Sequence, residues 1–328
     1  MTYNILITSA GRRVSLVRSF RDALKELEIS GKVFVLDCSD KISSRFVADG
    51  FFKAKRLSHP EYISDLLNIC IRNSIKLIIP TIDTELLQLS QAKEEFEKNG
   101  ITILVPSESA IRLFLSKKDT NIFFTENNIP CPKMYENHSL NLIDSNHFPL
   151  FIKPKNGSSS KNAFKVRNHK DLEFFCEYIS EPIVEECVVG EEITIDVLIG
   201  KTGKVLYCVP RKRIEVRDGE VSKAITIFNN EIISYCKKIC SLVDGIYGCI
   251  NIQCFLDKDS KIKFFEVNPR FGGGFPLSLA SGANFPKWIL EIEHGKEIKD
   301  LDIDKPWKRD LIMLRFDEGI FVNKQDLN

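Results

Sequence analysis

Short apolar runs alternate with amphipathic segments over the first third of the chain. The run at 3–9 predicts a buried strand, 14–27 carries an apolar stripe at helical spacing, and 33–37 is again a continuous apolar run. Strand, helix and strand in this order predict a parallel sheet with right-handed crossovers. A helix at 61–73 and strands at 76–79 and 101–105 extend the sheet. We therefore predict an α/β domain over residues 1–110.

The pattern changes after residue 110, where strands follow one another with turns between them. Two strands joined by a turn are predicted over 182–198, and the turn at 257–260 returns the strand at 247–256 antiparallel into 264–268. Helices are predicted at 116–127 and 230–242, further strands at 148–155, 205–209 and 311–314, and a hairpin turn at 218–219. An α+β unit therefore follows the parallel sheet.

Composition narrows the class of protein. The 328 residues are 43% hydrophobic and 28% charged, which is ordinary for a globular protein and enough for two or three packed units. A net charge of +1 gives no electrostatic case for nucleic acid or an anionic membrane as a partner. The chain lacks an apolar run of about 20 residues and a signal-peptide pattern. Its ten cysteines show no zinc spacing, so we expect a cytoplasmic protein with free thiols, Cys236 and Cys240 being core residues.

The stretch from Phe264 to Gly274 concentrates the candidate chemistry. Glu266 and Asn268 lie two residues apart on a predicted strand and leave the same face, and Gln253 on the preceding strand can face the same side. A proline then ends the strand, Arg270 follows, and three glycines let backbone amides approach a ligand closely. Oxygen ligands, a guanidinium and bare amides suit Mg²⁺ and phosphoryl groups. A strand end with a solvated turn is the alternative.

Two turns of the first domain carry further polar residues. A dinucleotide site would require Gly-x-Gly-x-x-Gly after the first strand, and only Gly11 is present, so a dehydrogenase is excluded. Arg12 and Arg13 either help to hold an anion at the helix N-terminus or are solvated. Thr81 and Asp83 either cap the next helix or meet a ligand at the carboxyl edge of the sheet.

Two segments of the middle region suit a nucleotide. The predicted strand with Lys153 and Lys155 on one face ends in the serine-rich segment 156–162, whose amides and hydroxyls can fold over phosphate. The Gly-Lys-Ser/Thr of a Walker loop is missing, and an exposed hairpin loop is the alternative. In the acidic run 185–192, carboxylates flank an apolar stretch, which fits adenine and ribose but also a solvated edge.

Together these motifs resemble the ATP-grasp superfamily, most closely the half-synthetase units of carbamoyl-phosphate synthetase and related stand-alone carboxylate–amine ligases. The likeness runs over about residues 1–290 and depends on the pairing of Asn-Ile-Gln (251–253) with Glu-Val-Asn-Pro-Arg (266–270). It implies an α/β plus α+β chain: a parallel-sheet pre-grasp domain (1–110), then a two-lobed ATP-grasp fold. The small lobe with a mobile Gly/Ser loop would span 111–188, the large lobe with the Mg–ATP site 189–295, and a C-terminal segment packed on the core 296–328.

The resemblance also implies roles for individual residues. Arg270 would serve the acyl-phosphate stage, Lys153 the phosphates, and Arg213 either the γ-phosphate or only the surface. ATP would contact Lys117 (or Lys118 in its place), Lys153, Ser158, Ser160, Lys161, Glu185, Cys187, Val188 and Glu192. Mg²⁺, with Mn²⁺ as an alternative, would be bound by Gln253, Glu266 and Asn268. We further predict substrate contacts at Ser9, Gly11, Arg12, Thr81, Asp83 and Gly273.

The chain departs from many members of the superfamily in three ways. Gln253 stands where a glutamate is common, as it also does in carbamoyl-phosphate synthetase units, and a neutral amide binds Mg²⁺ less strongly than a carboxylate. The loop is richer in serine than in relatives. One grasp unit is present instead of two, which argues against a complete carbamoyl-phosphate synthetase.

The activity implied by the resemblance is ATP-dependent ligation of a small carboxylate to an amine through an acyl phosphate, with release of ADP and phosphate. Two alternatives stay open. One is a nucleotide-binding regulatory or scaffold protein without ligation, and the other is an adenylating ligase that releases AMP. The turns at 9–13 and 81–85 predict a guanidinium-lined pocket for an anionic or amino-acid-like substrate, but no motif specifies the acid or the amine. An oligomer is compatible with the sequence.

Overall fold

The computed structural model describes residues 2–136, 143–157, 161–217, 219–297 and 306–327. Its first domain is built on five parallel strands: β1 (Asn4–Thr8), β2 (Val33–Asp37), β3 (Gly50–Lys53), β4 (Ile75–Ile79) and β5 (Thr102–Ile103). They lie in the order β3-β2-β1-β4-β5, and every neighbouring pair is parallel. The predicted parallel sheet is confirmed, although β3 was not predicted.

Both faces of this sheet are buried. Ile5 and Ile7 of β1 pack in one core with Phe20, whereas Leu6 between them packs in a second core with Leu66 and Leu86. Side chains alternate along a strand, so a continuous apolar run is what a sheet covered on both faces requires. The covering helices of this domain are α1 (Val14–Glu26), α2 (Tyr62–Arg72), α3 (Asp83–Gln91), α4 (Lys93–Lys98) and α5 (Glu108–Leu115).

The start of α3 is capped differently from the prediction. Capping by the Thr81 or Asp83 side chain is wrong, because the helix begins at Asp83 and Ile82 is its N-cap residue. The Glu85 carboxylate instead reaches back and accepts from the Thr81 and Ile82 amides at 2.8 and 3.3 Å. It also accepts from the Ser9 hydroxyl at 2.9 Å, so this buried acid ties two strand ends together.

A four-stranded antiparallel sheet follows. Its strands are β6 (Met134–Tyr135), β7 (Leu150–Pro154), β8 (Phe164–Val166) and β9 (Pro182–Glu186), in the order β6-β9-β7-β8. The helices of this region are α6 (Lys117–Glu126) and α7 (His169–Tyr178). The backbone amide of Lys117 donates to Lys155 O at 3.0 Å, which fixes the first turn of α6 beside the end of β7.

The third sheet has six antiparallel strands: β10 (Gly190–Ile199), β11 (Val205–Arg217), β12 (Glu220–Thr226), β13 (Gly248–Asp257), β14 (Ile262–Asn268) and β15 (Ile312–Leu314). Their order is β14-β13-β10-β11-β12-β15, so the predicted late strand lies at one edge. The helices α8 (Asn230–Ser241), α9 (Phe275–Ala280) and α10 (Phe285–Glu293) complete this part. Cys236 and Cys240 of α8 are core residues, as predicted, and all ten cysteines are free.

The two strands predicted over 182–198 are present as β9 and β10, and 187–189 connects them, but they belong to different sheets and do not pair with each other. One prediction for this region is wrong. The strand predicted at 205–209 does not stop before Pro210 but continues as β11 to Arg217, with Pro210 opposite Ile195. Asp218 of the predicted turn lies outside the described residues, and Arg217 pairs with Glu220 beside it.

One face of the six-stranded sheet is apolar and the other is polar. Ile193, Ile195 and Val197 enter a core shared with α8. Thr194 and Asp196 alternate with them and are buried on the opposite face. That polar face forms the floor of the site described below. None of the helices in the described ranges is long and apolar enough to span a lipid bilayer.

The buried Glu85 carboxyl gives a pH prediction. Burial raises its pKa above the ordinary carboxyl value, against the lowering effect of the hydrogen bonds from Thr81, Ser9 and Ile82. Between the ordinary pKa of about 4.3 and the raised one, the folded state binds more protons than the unfolded state, so the free energy of unfolding falls as pH rises. We expect Glu85→Gln to remove this fall. Urea unfolding at a series of pH values checks it, and parallel curves for both proteins would contradict it.

Candidate functional site

A cavity of about 470 Å³ is lined by residues of the four-stranded and the six-stranded sheet. Most residues predicted for the site line this one cavity: Lys117, Lys153, Lys161, Glu185, Cys187, Val188, Glu192, Arg213, Gln253, Glu266, Asn268, Arg270 and Gly273. Ser158 and Ser160 lie outside the described residues. Segments far apart in the sequence are therefore brought together by the fold.

The three predicted metal ligands share one face of two neighbouring strands. Gln253 lies opposite Glu266, and Asn251 lies opposite Asn268, in the antiparallel register of β13 and β14. The donor set is one carboxylate and two amides, whose oxygens are the hard ligands that Mg²⁺ takes. Elsewhere in the described part of the chain, no group of three or more His, Cys, Asp or Glu side chains is placed to hold a metal ion.

The orientation of the Gln253 amide matters for this set. Assigned from its neighbours, the amide nitrogen donates to Glu266 Oε2 and the amide oxygen accepts from Arg213 Nη1 at 3.2 Å. Gln253 thus acts as a donor toward the carboxylate. For the amide to serve as a metal ligand, its oxygen must turn toward Glu266.

Each of four cations in the cavity is paired with a carboxylate. Lys153 Nζ lies 2.7 Å from Glu185 Oε2, and Arg270 Nη2 lies 2.7 Å from Asp83 Oδ2. Lys117 Nζ lies 3.5 Å from Glu266 Oε1, and Arg213 pairs with Glu192. These acids hold the cations in place, and an entering polyphosphate would compete with them for the same donors.

The Lys153–Glu185 pair is the most buried of the four, with side chains 8% and 5% exposed. The Lys153 ammonium also lies 5.9 Å from the centre of the Phe265 ring, which stacks on Phe255 at 4.5 Å. Both rings line the cavity, and sequence reasoning missed them as candidate contacts for a flat ligand. Phe255 lies two residues from Gln253 on the same strand, which was an available signal, whereas Phe265 adjoins Glu266 and strand alternation gave no signal for it.

Burial also acts on Glu192. It raises the pKa of this carboxyl, as does the neighbouring Glu266 charge, whereas Arg213 lowers it.

Lys117 lines the cavity and Lys118 is not among the lining residues, which favours Lys117 of the two predicted alternatives.

A buried ion pair lies under the glycine segment 272–274. Arg211 Nε and Nη2 donate to Asp196 at 2.8 and 3.1 Å, and Asn251 Nδ2 and Ser278 Oγ donate to the same carboxylate at 3.0 and 2.5 Å. A Cβ on Gly274 would lie 2.2 Å from Arg211 Nη1. The glycines are thus required by close packing on this network. Arg211 and Asn251 also line the cavity and were not predicted as site residues, although they lie two positions from the predicted Arg213 and Gln253.

The predicted substrate residues divide into two groups. Gly273 lines the cavity. Four of the others each engage a polar atom inside the protein: Ser9 Oγ donates to Glu85, the Gly11 amide donates to Asp37 at 3.0 Å, the Thr81 hydroxyl donates to the Ser9 carbonyl at 2.7 Å, and Asp83 Oδ2 accepts from Arg270. Arg12 is 76% exposed. Direct substrate contact by these residues stays a prediction.

Two segments of the chain match known domain families. Residues 5–104 match the family model "PylC-like, N-terminal domain", and residues 179–312 match "ATP-grasp in the biosynthetic pathway with Ter operon". A D-alanine–D-alanine ligase from Fusobacterium nucleatum is 28% identical over 130 residues, which are 37% of this chain and 45% of that protein. The match therefore spans less than half of that relative. A carbamoyl-phosphate synthase from Methanobrevibacter smithii is 26% identical over 252 residues, 71% of this chain and 68% of that protein.

A solved structure shares the fold. The biotin carboxylase domain of the Hydrogenobacter thermophilus 2-oxoglutarate carboxylase, determined with MgADP and bicarbonate, superposes with a TM-score of 0.72 at 17% identity. The match covers 90% of this chain and 70% of that one. The architecture expected from the sequence, a parallel-sheet domain followed by a two-lobed unit, is thus confirmed.

The buried pair Lys153–Glu185 yields a stability prediction. Lys153→Met should destabilise the protein by about 3–5 kcal/mol, because it leaves the Glu185 carboxylate buried without its cation. Lys153→Met with Glu185→Leu should recover most of that loss, since both charges are then gone. Urea unfolding of the wild type, both single variants and the double variant measures the coupling. Additive losses would show that the pair does not interact in solution.

The network under the glycines yields a second stability prediction. Asp196→Ala leaves Arg211, which is 1% exposed, without a counter-ion and should cost about 3–5 kcal/mol of unfolding free energy. The matched control is Glu108→Ala, which breaks an exposed pair: the Glu108 side chain is 41% exposed and that of its partner Arg112 is 57% exposed. This variant should cost less than about 1 kcal/mol of unfolding free energy. Equal losses in the two variants would contradict the prediction.

Proposed function

We propose that this chain, a member of the ATP-grasp superfamily, is an ATP-dependent ligase that joins a carboxylate to an amine through an acyl phosphate. One observation carries the proposal: Gln253, Glu266 and Asn268 share a face beside Lys117 and Lys153 in a single cavity. The neighbouring structure with MgADP, and relatives named as ligases, support a nucleotide in this cavity.

ATP would lie along the cavity with its base toward the segment that connects the two sheets. Cys187 and Val188 of that segment line the cavity together with Phe255 and Phe265. Glu186 beside them is held by Lys263 of β14 through both carboxylate oxygens at 2.5 and 2.6 Å, which fixes the connection. Glu192, two residues into β10, would accept from the ribose hydroxyls.

The triphosphate would meet the lysines at the centre of the cavity. Lys117 comes from the first turn of α6 and Lys153 from β7, so the two ammonium groups approach from different elements. Mg²⁺ held by Gln253, Glu266 and Asn268 would neutralise charge on the phosphate oxygens. Phosphoryl transfer asks little covalent chemistry of the protein, so orientation and charge neutralisation by these residues carry the step.

The chemistry then proceeds in two displacements. A carboxylate oxygen of the acid attacks the γ-phosphorus, the bond from that phosphorus to the bridging oxygen breaks, and ADP leaves. The neutral amine attacks the acyl carbon, the bond from that carbon to the phosphate oxygen breaks, and the leaving phosphate takes up the amine proton and departs as hydrogen phosphate. Arg270 Nη2 lies 3.3 Å from Asn268 Oδ1, and its guanidinium would stabilise the developing negative charge at both stages.

Hydrolysis of the acyl phosphate must be avoided. Lys161 lines the cavity next to the predicted Gly/Ser loop, and closure of that loop over the phosphates would exclude water. The oxygen donors of Gln253, Glu266 and Asn268 would also accept Mn²⁺ in place of Mg²⁺.

A screen of ADP release tests the proposal. Small carboxylic acids and amines, including amino acids such as D-alanine and glycine, are offered in pairs with MgATP. We expect ADP and phosphate from at least one pair, and a hydroxamate when hydroxylamine replaces the amine, since it traps an acyl phosphate. AMP and pyrophosphate would indicate an adenylating ligase instead. ATP binding without turnover in any pair would favour a scaffold.

The metal ligands provide the matched variants. Glu266→Gln removes the single carboxylate of the donor set and should lower ADP release by about a hundredfold or more, because several kcal/mol of charge neutralisation are lost. Glu231→Gln on the exposed side of α8 makes the same replacement of a carboxylate by an amide outside the cavity, and it should leave the rate of ADP release unchanged. Equal rates for the two variants would argue against a metal at Glu266.

A further inference from the structure

The end of the cavity beyond Arg270 is strongly cationic. Arg13, Glu220 and Gly273 line the cavity and lie close to one another. A Cβ built on Gly273 would lie 3.1 Å from Arg13 Nη1, so the guanidinium lies directly against the glycine backbone. This end is formed jointly by the first domain and the six-stranded sheet.

The C-terminal segment contributes a residue to this end. Arg315 follows β15, and its backbone amide donates to Ser222 O at 2.9 Å. Its side chain donates through Nη2 to Gly273 O at 2.7 Å, and its Nη1 lies 3.0 Å from Glu220 Oε2. Arg315 lies beyond residue 312, where the match to the ATP-grasp family model ends. It is therefore a feature of this chain that the family match does not include.

The contacts of Arg13 in the described part of the chain are long. Nη2 is 3.5 Å from the Thr81 carbonyl, and Nη1 is 4.0 Å from Glu220 Oε1, although the side chain is only 20% exposed. Burial lowers the pKa of Arg13, and the nearby Arg270 lowers it further. A guanidinium in such surroundings has donors left for another anion.

The local charges do not cancel. Around this end lie Arg12, Arg13, Arg270 and Arg315, opposed by Asp83 and Glu220. Glu220 is shared by three of these guanidiniums, at 3.0, 3.8 and 4.0 Å, so it is already engaged. An incoming ammonium group would be repelled here, whereas an anionic group would complete the cluster.

We infer that one of the two organic substrates carries an anionic oxygen group remote from the bond being formed, that Arg13 of the cavity lining binds it, and that Arg315, which contacts Gly273 and Glu220 without lining the cavity, adds positive charge there. This inference rests on the proposed ligase function. The substrate is then either a dicarboxylic or phosphorylated acid, or an amine that bears a carboxylate, such as an amino acid. Simple monocarboxylic acids paired with simple amines would be poor substrates.

Binding measurements test this without turnover. Isothermal titration of the full chain, loaded with Mg²⁺ and a non-hydrolysable ATP analogue, compares straight-chain dicarboxylates with monocarboxylates of equal length, phosphono acids with the parent acids, and amino acids with the matching amines. We expect the anionic member of at least one comparison to bind about tenfold tighter or more. The comparison that shows the preference identifies which substrate carries the group.

Variants assign the preference to the two arginines. Arg315→Gln should reduce the preference about tenfold while binding of the uncharged partner and of the ATP analogue stays the same. Arg315→Lys and Arg13→Lys keep the charge and should retain part of it, since only the planar fork is lost. Arg112→Gln on α5, with a side chain 57% exposed, is the matched control and should change nothing. Thermal unfolding of each variant verifies folding.

The outcomes separate this inference from the proposed function. No preference in the wild type for any anionic probe, or a preference that survives Arg315→Gln, overturns the inference even if ADP is released by a simple acid and amine. A preference lost in Arg315→Gln, in a protein that releases no ADP with any pair, supports the anion site and contradicts the ligase.

Discussion

The site depends on the register between β13 and β14. Gln253 opposite Glu266 and Asn251 opposite Asn268 place all four polar side chains on one face, while Ile252 and Val267 enter the core on the other. A shift of one residue would exchange the two faces, burying a carboxylate in the apolar core and exposing the aliphatic residues. The hydrophobic core under the sheet therefore fixes the position of the candidate metal ligands.

Charge pairing is the second feature that shapes the cavity. The lysines and arginines of the cavity would repel one another if they were left without counter-ions in a partly buried space. Here Glu185, Glu192, Glu266 and Asp83 each pair with one of them. The same acids keep these cations oriented, so the cavity is arranged without a ligand.

The glycine segment connects the site to the rest of the molecule. Gly272 and Gly274 pack on the Asp196–Arg211 pair, and Phe271 beside them packs edge-on against Phe20 of α1 at 6.0 Å. The position of Arg270 is thus set from two sides, by a buried ion pair in the six-stranded sheet and by the core of the first domain. The C-terminal Arg315 adds a third connection through the Gly273 carbonyl.

The sequence alone determined the class of the elements with a clear hydrophobic period and the central motif, whereas short elements such as β3 and α4 were not predicted. Periods of two and of 3.6 residues reveal strands and helices, and residues two apart on one strand must share a face, so Glu266 with Asn268 could be read directly. Pairing between distant strands has no such local signal. Only the tertiary structure decided that β9 and β10 lie in different sheets, that β11 continues through Pro210 and so buries Arg211, and that Arg13 and Arg315 both approach Glu220. These contacts join segments up to about three hundred residues apart, and burial and charge across the whole fold select them.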